Sequence, residues 1–257
     1  MKEGNRGLSP GVWTALALVI ALGLWEAAAA AGHVNEFFFS RPSQLWQEFL
    51  TMLSSGMLAK HLSVTCQEAG LGLLFGGVLG TLAGLGLGMS PRVGRALMPV
   101  MTGLNGLPKL ALGPLFIIWF GLGLQSKVLI SALMVFFIFA FNLYAGVRSV
   151  DQDLIGAVKL LGGSRWQTMG KVIWPACLPW LLAGLRTSLG LSLSGAIVGE
   201  YLGSTRGMGW LLSAAGDLFN AQRVLCCVLI LVVIIVLLDG IVRLLERRLL
   251  RWRGPAA

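Results

Sequence analysis

Four charged side chains interrupt the long apolar runs of this sequence. Lys109 and Arg186 lie well inside such runs, and Glu68 and Glu200 lie near the ends of theirs. A charge at membrane depth is costly, so it faces a protein interior or water, where it selects or couples a solute or pairs with an opposite charge. Both roles stay open for Lys109 and Arg186. For the two glutamates, solvation at the end of an apolar run is the simpler interpretation.

The residue patterns of an enzyme or a metal site are missing from the sequence. His33 and His61 stand far apart, without a nucleophile and an acid beside them, so neither a catalytic nor a metal-binding set is predicted. The four cysteines are treated as small apolar residues: Cys66, Cys177, Cys226 and Cys227. A phosphate-binding loop needs GxxxxGK and then Ser or Thr, but Gly163, Gly170 and Lys171 have the wrong spacing. The chain is therefore expected to bind no cofactor and to draw energy from a partner or an ion gradient.

Two prolines predict a bend in the apolar run that contains Lys109. Pro108 and Pro114 remove backbone donors and clash with the preceding turn, so a helix bends or breaks there. Freed backbone groups at membrane depth are tolerated only inside protein or along a wet cavity, and broken helices line the substrate path of transporters. We assign to a translocation path Pro108, Lys109, Pro114 and Glu200.

The composition places these residues in a membrane protein. Of 257 residues, 56% are hydrophobic and 12% are charged, with a mean hydropathy of +0.80, whereas a soluble domain has about 25% charged residues. A membrane helix needs about 20 apolar residues. We predict one transmembrane domain over residues 1–257, with spans at about 12–31, 66–89, 97–122, 127–148, 178–201 and 223–245.

The lysines and arginines predict the orientation. Most of the 20 fall before the first span or after the second, fourth and sixth spans, and basic residues concentrate on the cytoplasmic side. Both termini are therefore expected in the cytoplasm, with the last turn and Trp252 at the lipid headgroups. The net charge of +9 then reports topology rather than nucleic-acid binding. The first span exceeds a signal-peptide core in length and is expected to be retained.

A glycine ladder marks the second span. Gly72, Gly76, Gly80, Gly84 and Gly88 recur at every fourth position, which keeps one ridge of a helix free of side chains. Another backbone can approach such a ridge closely. Packing within one subunit and a contact with a second copy both stay open.

The segment 149–175, between the fourth and fifth spans, is predicted to hold two short amphipathic helices on the cytoplasmic side. Asp151 can cap the first, and Gly162 can end it. Its apolar residues recur at helical spacing: Leu154, Val158 and Leu161.

The second of these helices begins at Ser164, which forms a predicted capping box with Gln167. Pro175 and Pro179 are expected to break it before the fifth span. Such helices rest in the lipid interface or dock into a partner, and the residues alone favour neither.

This segment resembles the signature loop of the permease subunits of ATP-binding-cassette importers, which runs EAA, then a glycine, then a hydrophobic stretch closing on Leu-Pro. The sequence GAVKLLGGSRWQTMGKVIWPACLP is similar at Ala157, Leu161, Gly162, Ser164, Arg165, Val172, Ile173, Pro175 and Pro179. Gly156 replaces the motif's Glu, Val158 replaces an Ala, and Trp174 replaces a Leu. The missing Glu removes a polar contact with the partner, while a docking helix remains expected.

Further stretches resemble the nitrate, sulfonate, taurine and bicarbonate branch of these permeases. They are SPRVGRALMPV, PKLALGPLFIIWFGLG, GLRTSLGLSL and GEYLGSTRGMGWLL. The chain departs from this branch at Gln67 and Glu68, where the branch often has an Arg.

The resemblance implies an all-α integral membrane fold with six transmembrane helices, the type I importer permease fold, and a cytoplasmic coupling helix. It implies a homodimer in the bacterial inner membrane, two copies of an ATPase subunit that hold ATP and Mg, and a solute-binding protein outside. The residues assigned to coupling are Ala157, Leu161, Gly162, Ser164 and Arg165. The chain itself would be non-catalytic and would pass a small anion, such as a sulfonate, taurine, nitrate or bicarbonate, by alternating access. An ATP-independent transporter or channel is the main alternative, and a membrane anchor is a third.

Overall fold

The computed structural model describes residues 10–33, 35 and 38–251. The predictions for Lys2, Arg6, Trp252 and Arg253 lie outside these residues. The described part of the chain is helical and contains no strand. Its α-helices are α1 (Pro10–Ala30), α2 (Pro42–Ser54), α3 (Met57–Met89), α4 (Pro91–Asn105), α5 (Gly113–Phe120), α6 (Leu124–Arg148), α7 (Gln152–Leu160), α8 (Arg165–Thr168), α9 (Trp174–Leu202), α10 (Met208–Asp217) and α11 (Ala221–Leu249).

Within the described residues, five helical stretches are long and apolar enough to cross a membrane. They are Gly11–Ala30, Met57–Met89, Leu124–Arg148, Arg165–Leu202 and Ala221–Leu249. A sixth crossing forms if α4 and the helices over Lys109–Phe120 count as one bent span. The all-helical membrane architecture predicted from the sequence is therefore present.

The bend in the third span lies where the prolines predict it. A 76° change of direction separates Pro91–Asn105 from Lys109–Phe120. Pro108 precedes a short 3₁₀ helix over Lys109–Leu112, and Pro114 lies in the first turn of α5. A residue before proline avoids helical geometry, and a first-turn proline loses no intrahelical bond. The sequence therefore ends one helix and starts another at this point.

The predicted break at Pro175 and Pro179 is wrong. From α8 the chain passes through a π-helical turn, Met169–Ile173, directly into α9, so Arg165–Leu202 is one run of 38 residues. Pro175 lies in the first turn of α9, and the wider π turn before it makes room for the proline ring. Pro179 costs one hydrogen bond inside α9 without ending the helix.

The chain divides into two compact units. The larger unit covers Lys60–Leu211 and Leu231–Ala257, and α6 is central to its core. Its main apolar cluster consists of Leu85, Val135, Phe139, Leu143, Val147, Ile173 and Cys177, which come from α3, α6 and the segment around the start of α9. Polar contacts of the smaller unit, Met1–Ala59 with Leu212–Ile230, include the 2.7 Å ion pair of Arg223 with Glu48. Whether residues 1–257 act as one domain stays a prediction.

The glycine ladder of α3 faces α6 of the same chain. A Cβ atom added at Gly76, Gly80 or Gly84 would overlap a backbone carbonyl oxygen of α6, and one at Gly72 or Gly88 would overlap an α6 side chain. The two helices thus pack backbone to backbone. Such close contacts give dispersion energy that a separated helix does not gain from lipid.

Replacing Gly84 by Ala tests this packing. The added methyl group overlaps the Ala140 carbonyl oxygen, so we expect a loss of roughly 1–3 kcal/mol from overpacking and a lower unfolding midpoint in mild detergent. Gly86→Ala is the matched control in the same helix, because a Cβ there meets no atom within 4 Å. Equal midpoints for the two variants would contradict the close approach.

Candidate functional site

The α7–α8 loop is folded by local caps. The Asp151 carboxylate accepts a hydrogen bond from the Asp153 amide over 2.9 Å and caps α7. Ser164 and Gln167 form the predicted capping box at the start of α8. Gly162 has a φ of +75°, the left-handed geometry in which glycine ends a helix without strain. These two caps and the left-handed glycine fix a tight turn between the two helices.

Three large apolar side chains of this loop are almost completely exposed. Leu160, Leu161 and Trp166, here called the loop surface, are 90%, 87% and 86% exposed. The five residues predicted for coupling are all exposed in the same loop. They are Ala157, Leu161, Gly162, Ser164 and Arg165. Sequence reasoning missed Leu160 and Trp166, although a Trp inside a polar turn was a usable signal. Exposed apolar side chains rimmed by polar residues mark an interaction site.

Lys109 lies at the bend of the third span, partly buried. Its ammonium donates to the Asn105 carbonyl oxygen over 2.8 Å and to Asn105 Oδ1 over 2.9 Å, and lies 5.1 Å from the Phe137 ring centroid. It forms no ion pair with a carboxylate in the described part of the chain. The flanking Pro108 and Pro114 are exposed. The positive charge is thus held at the bend by neutral acceptors and is not cancelled.

Glu200 lies in a different environment and is only 1% exposed. It accepts hydrogen bonds from Thr65 Oγ1 over 2.6 Å and from the Gly209 amide over 2.5 Å. The Thr65 hydroxyl in turn accepts from the Met208 amide over 2.8 Å. His61 contacts the Gly207 backbone over 3.2 Å. These bonds fix the segment after α9 against α3, so Glu200 does not share partners with Lys109.

Glu68 belongs to the same buried group. It is 2% exposed, and the Lys127 ammonium lies 3.8 Å from its Oε1 and donates to the Leu122 carbonyl oxygen over 2.9 Å. The interpretation of Glu68 and Glu200 as solvated carboxylates is therefore wrong, because α3, α6 and α9 enclose both. Lys127, the first residue of the predicted fourth span, lies buried in the first turn of α6.

Arg186 has a carboxylate partner that the sequence analysis missed. Its Nε donates to Asp239 Oδ1 in α11 over 2.7 Å, and Arg243 donates to the other Asp239 oxygen. Asp239 is the acid in the apolar run 224–242, and this isolation was the available signal. Among the described residues, no group of three His, Cys, Asp or Glu side chains is placed to hold a metal ion.

The fold and these sites are those of a membrane transport permease: apolar spans, a bent helix that carries a charge, and a loop that exposes apolar side chains. A family model, "binding-protein-dependent transport system inner membrane component", matches residues 76–251. The chain belongs to this family of ATP-binding-cassette importer permeases.

Named relatives are similar in sequence to this chain over nearly its whole length. SsuC of Bacillus subtilis (strain 168), a permease protein named for aliphatic sulfonates transport, is 36% identical, covering 91% of this chain and 85% of that protein. The taurine transport system permease protein TauC of Escherichia coli (strain K12) is 34% identical over 92% and 88%. The riboflavin transport system permease protein RibX of Chloroflexus aurantiacus is 34% identical over 97% and 94%.

A solved structure agrees in fold. A chain of the MetNI methionine ABC transporter, captured in inward-facing conformations, superposes with a TM-score of 0.66 over 74% of this chain and 94% of its own, at 19% identity. The importer prediction and its permease fold are confirmed, and the ATP-independent transporter or channel is not supported. The chain is a multi-pass membrane permease whose class works with an ATPase and a solute-binding protein.

Removing the Lys127 charge tests the buried group. Lys127→Met leaves two enclosed carboxylates without their cation, and breaking a buried pair costs roughly 3–5 kcal/mol. We expect a lower unfolding midpoint in mild detergent than for Lys60→Met, since Lys60 is exposed. A Lys127→Met midpoint equal to that of wild type would show that the cation does not stabilise this group.

Proposed function

We propose that this chain forms the translocation path of an ATP-driven importer for small organic anions of the sulfonate class. The observation that carries the solute class is the similarity to SsuC and TauC, at 36% and 34% identity. A net positive side chain at the bend, Lys109, suits an anion. RibX is as similar as TauC, so the test must compare an anion with riboflavin.

The proposed assembly contains two copies of this chain and two ATPase subunits, with ATP and Mg on the ATPases. A solute-binding protein delivers the anion from outside, and both termini face the cytoplasm of the bacterium. The chain performs no catalysis itself. The charge distribution supports this orientation, because the basic loop after α6 and the arginines of the α11 end fall on one side.

The loop surface is the proposed docking site for the ATPase. Burying a leucine side chain contributes about 1.5–3 kcal/mol, so Leu160, Leu161 and Trp166 together offer a stable contact. Gly162 and the Ser164 cap hold the turn. Because α8 continues through the π turn into α9, one continuous helical run connects the docked loop to the membrane and passes its movement on.

The proposed path residues act in different ways. Pro108 and Pro114 create the bend that leaves Lys109 accessible, and Lys109 attracts the anion. Glu200 acts indirectly, because it ties the segment at Gly207–Gly209 to α3 and so determines whether that end opens.

The function is tested with the chain co-expressed with its ATPase and binding protein. Native mass spectrometry is expected to give two permeases with two ATPases. Proteoliposomes are expected to take up ethanesulfonate, and not riboflavin, only with ATP. Uptake without ATP would overturn the importer assembly, and uptake of riboflavin alone would overturn the solute class.

Leu161→Asp tests the loop surface. A carboxylate at the centre of the contact must be desolvated on docking, so we expect at least a tenfold loss of ATP-driven uptake, with the protein still inserted in the membrane. Leu161→Met keeps an apolar side chain of similar volume and serves as the control. Normal uptake by Leu161→Asp would show that Leu161 does not transmit the movement.

A further inference from the structure

The ion pair of Arg186 with Asp239 has no part in the roles assigned above. Arg186 Nε donates to Asp239 Oδ1 over 2.7 Å. Asp239 is the one hydrogen-bond partner of Arg186 among the described residues, and its second oxygen accepts from Arg243. Two cations therefore share one carboxylate, and the group keeps a net positive charge.

Arg186 lies at membrane depth. With a rise of about 1.5 Å per residue, it is about 18 Å along the axis from Trp174 at the start of α9 and about 24 Å from Leu202 at its end. Its side chain is nevertheless 48% exposed on the surface of the chain. A charge at this depth faces water or protein rather than hydrocarbon.

Between Trp180 and Tyr201, which are both exposed, no large apolar residue is exposed on the side of α9 that carries Arg186. The residues exposed there with Arg186 are Ala183, Thr187 and Ser194. The Thr187 and Ser194 hydroxyls donate to carbonyl oxygens of their own helix. The opposite side, with Leu189 and others, is buried.

By contrast, α11 exposes bulky apolar residues to its surroundings, namely Val233, Val236 and Leu237. A helix side that faces lipid has that character. The middle of the exposed α9 side, around Arg186, lacks such residues, which favours contact with an aqueous path there.

The guanidinium of Arg186 retains binding capacity. It carries five N–H donors in a fixed plane, and the Asp239 contact uses the Nε donor, which leaves the donors of the two terminal nitrogens for other acceptors. Arginine binds planar or tetrahedral oxyanions through two parallel hydrogen bonds. Asp239 already accepts from two arginines, so it orients Arg186 without neutralising the group.

We propose that Arg186, positioned by Asp239, binds the oxyanion group of the solute as the solute passes along α9. This inference rests on the proposed function, because it names the residue that reads the charge of the same solute. Asp239 is a positioning residue, and Thr187 and Ser194 line the surface along which the anion moves.

The test uses the full complex with its ATPase and binding protein in nanodiscs, which leave both membrane faces open. Cys66, the exposed native cysteine, is replaced by Ser. Ser194→Cys is then labelled with a cationic, membrane-impermeant thiosulfonate reagent, and Val233→Cys on the apolar side of α11 is the matched control. We expect Ser194→Cys to react at least tenfold faster, with ethanesulfonate protecting it and neutral methanesulfonamide not protecting it.

The role of Arg186 is read from the protecting concentration. Charge-assisted hydrogen bonds to the oxyanion predict that Arg186→Gln raises the half-protecting ethanesulfonate concentration by about tenfold or more. Arg186→Lys, which keeps the charge without the planar fork, is expected to fall between the two. Arg243 still pairs with Asp239 in these variants, and the unfolding midpoint checks that they remain folded.

Three results would overturn the inference. Equal protection in wild type and Arg186→Gln, with normal ethanesulfonate uptake by wild type, overturns the role of Arg186 alone. Absence of ethanesulfonate uptake by wild type overturns the proposed solute class and the inference with it. A phospholipid that is retained in native mass spectra of wild type and lost in Arg186→Gln, with unchanged ethanesulfonate protection, assigns the guanidinium to a lipid headgroup.

Discussion

The structure of the larger unit depends on the close approach of α3 to α6. Inside a bilayer, each helix satisfies its own backbone hydrogen bonds, and apolar burial does not drive helices together, because lipid tails are as apolar as leucine. What remains is contact between surfaces that fit. Gly76, Gly80 and Gly84 let α3 reach the α6 backbone, and α6 in turn contacts α9 through Gly195 and Gly199.

Once α6 lies between these helices, the charges fall into two groups. Glu68, Lys127 and Glu200 are enclosed and bonded to each other or to backbone, so they stabilise one arrangement of α3, α6 and α9. The side chains of Lys109 and Arg186 are partly exposed, and their surroundings do not cancel the positive charge. A membrane protein tolerates such a charge only where protein or water surrounds it, and the proposed solute contacts are assigned to these two residues.

Much of the architecture could be predicted from the sequence, because it follows from local rules. Apolar length gives the spans, Pro108 and Pro114 give the bend, and Ser164 with Gln167 gives a cap. Two kinds of feature could not be predicted. The helix continues through Pro175 because a π turn precedes it, and no residue pattern predicts such a turn.

Long-range pairing was the second kind. Glu68 meets Lys127, and Arg186 meets Asp239, across separations in the chain that only the packed helices determine. The sequence shows that such charges need partners, but the packing of the helices determines which residues those partners are. For the same reason Glu200, selected from the sequence as a path residue, is enclosed in a group that ties the segment after α9 to α3.

The two ends of α9 are therefore connected to the rest of the chain in different ways, which suits a helix that transmits movement. At one end the helical run extends without interruption to Arg165, beside the exposed loop surface. At the other end the chain is held by hydrogen bonds of Glu200 and Thr65, which can be exchanged for bonds to water. In the proposed importer, displacement at the loop surface acts through one continuous run of 38 residues on the end where these bonds can be exchanged.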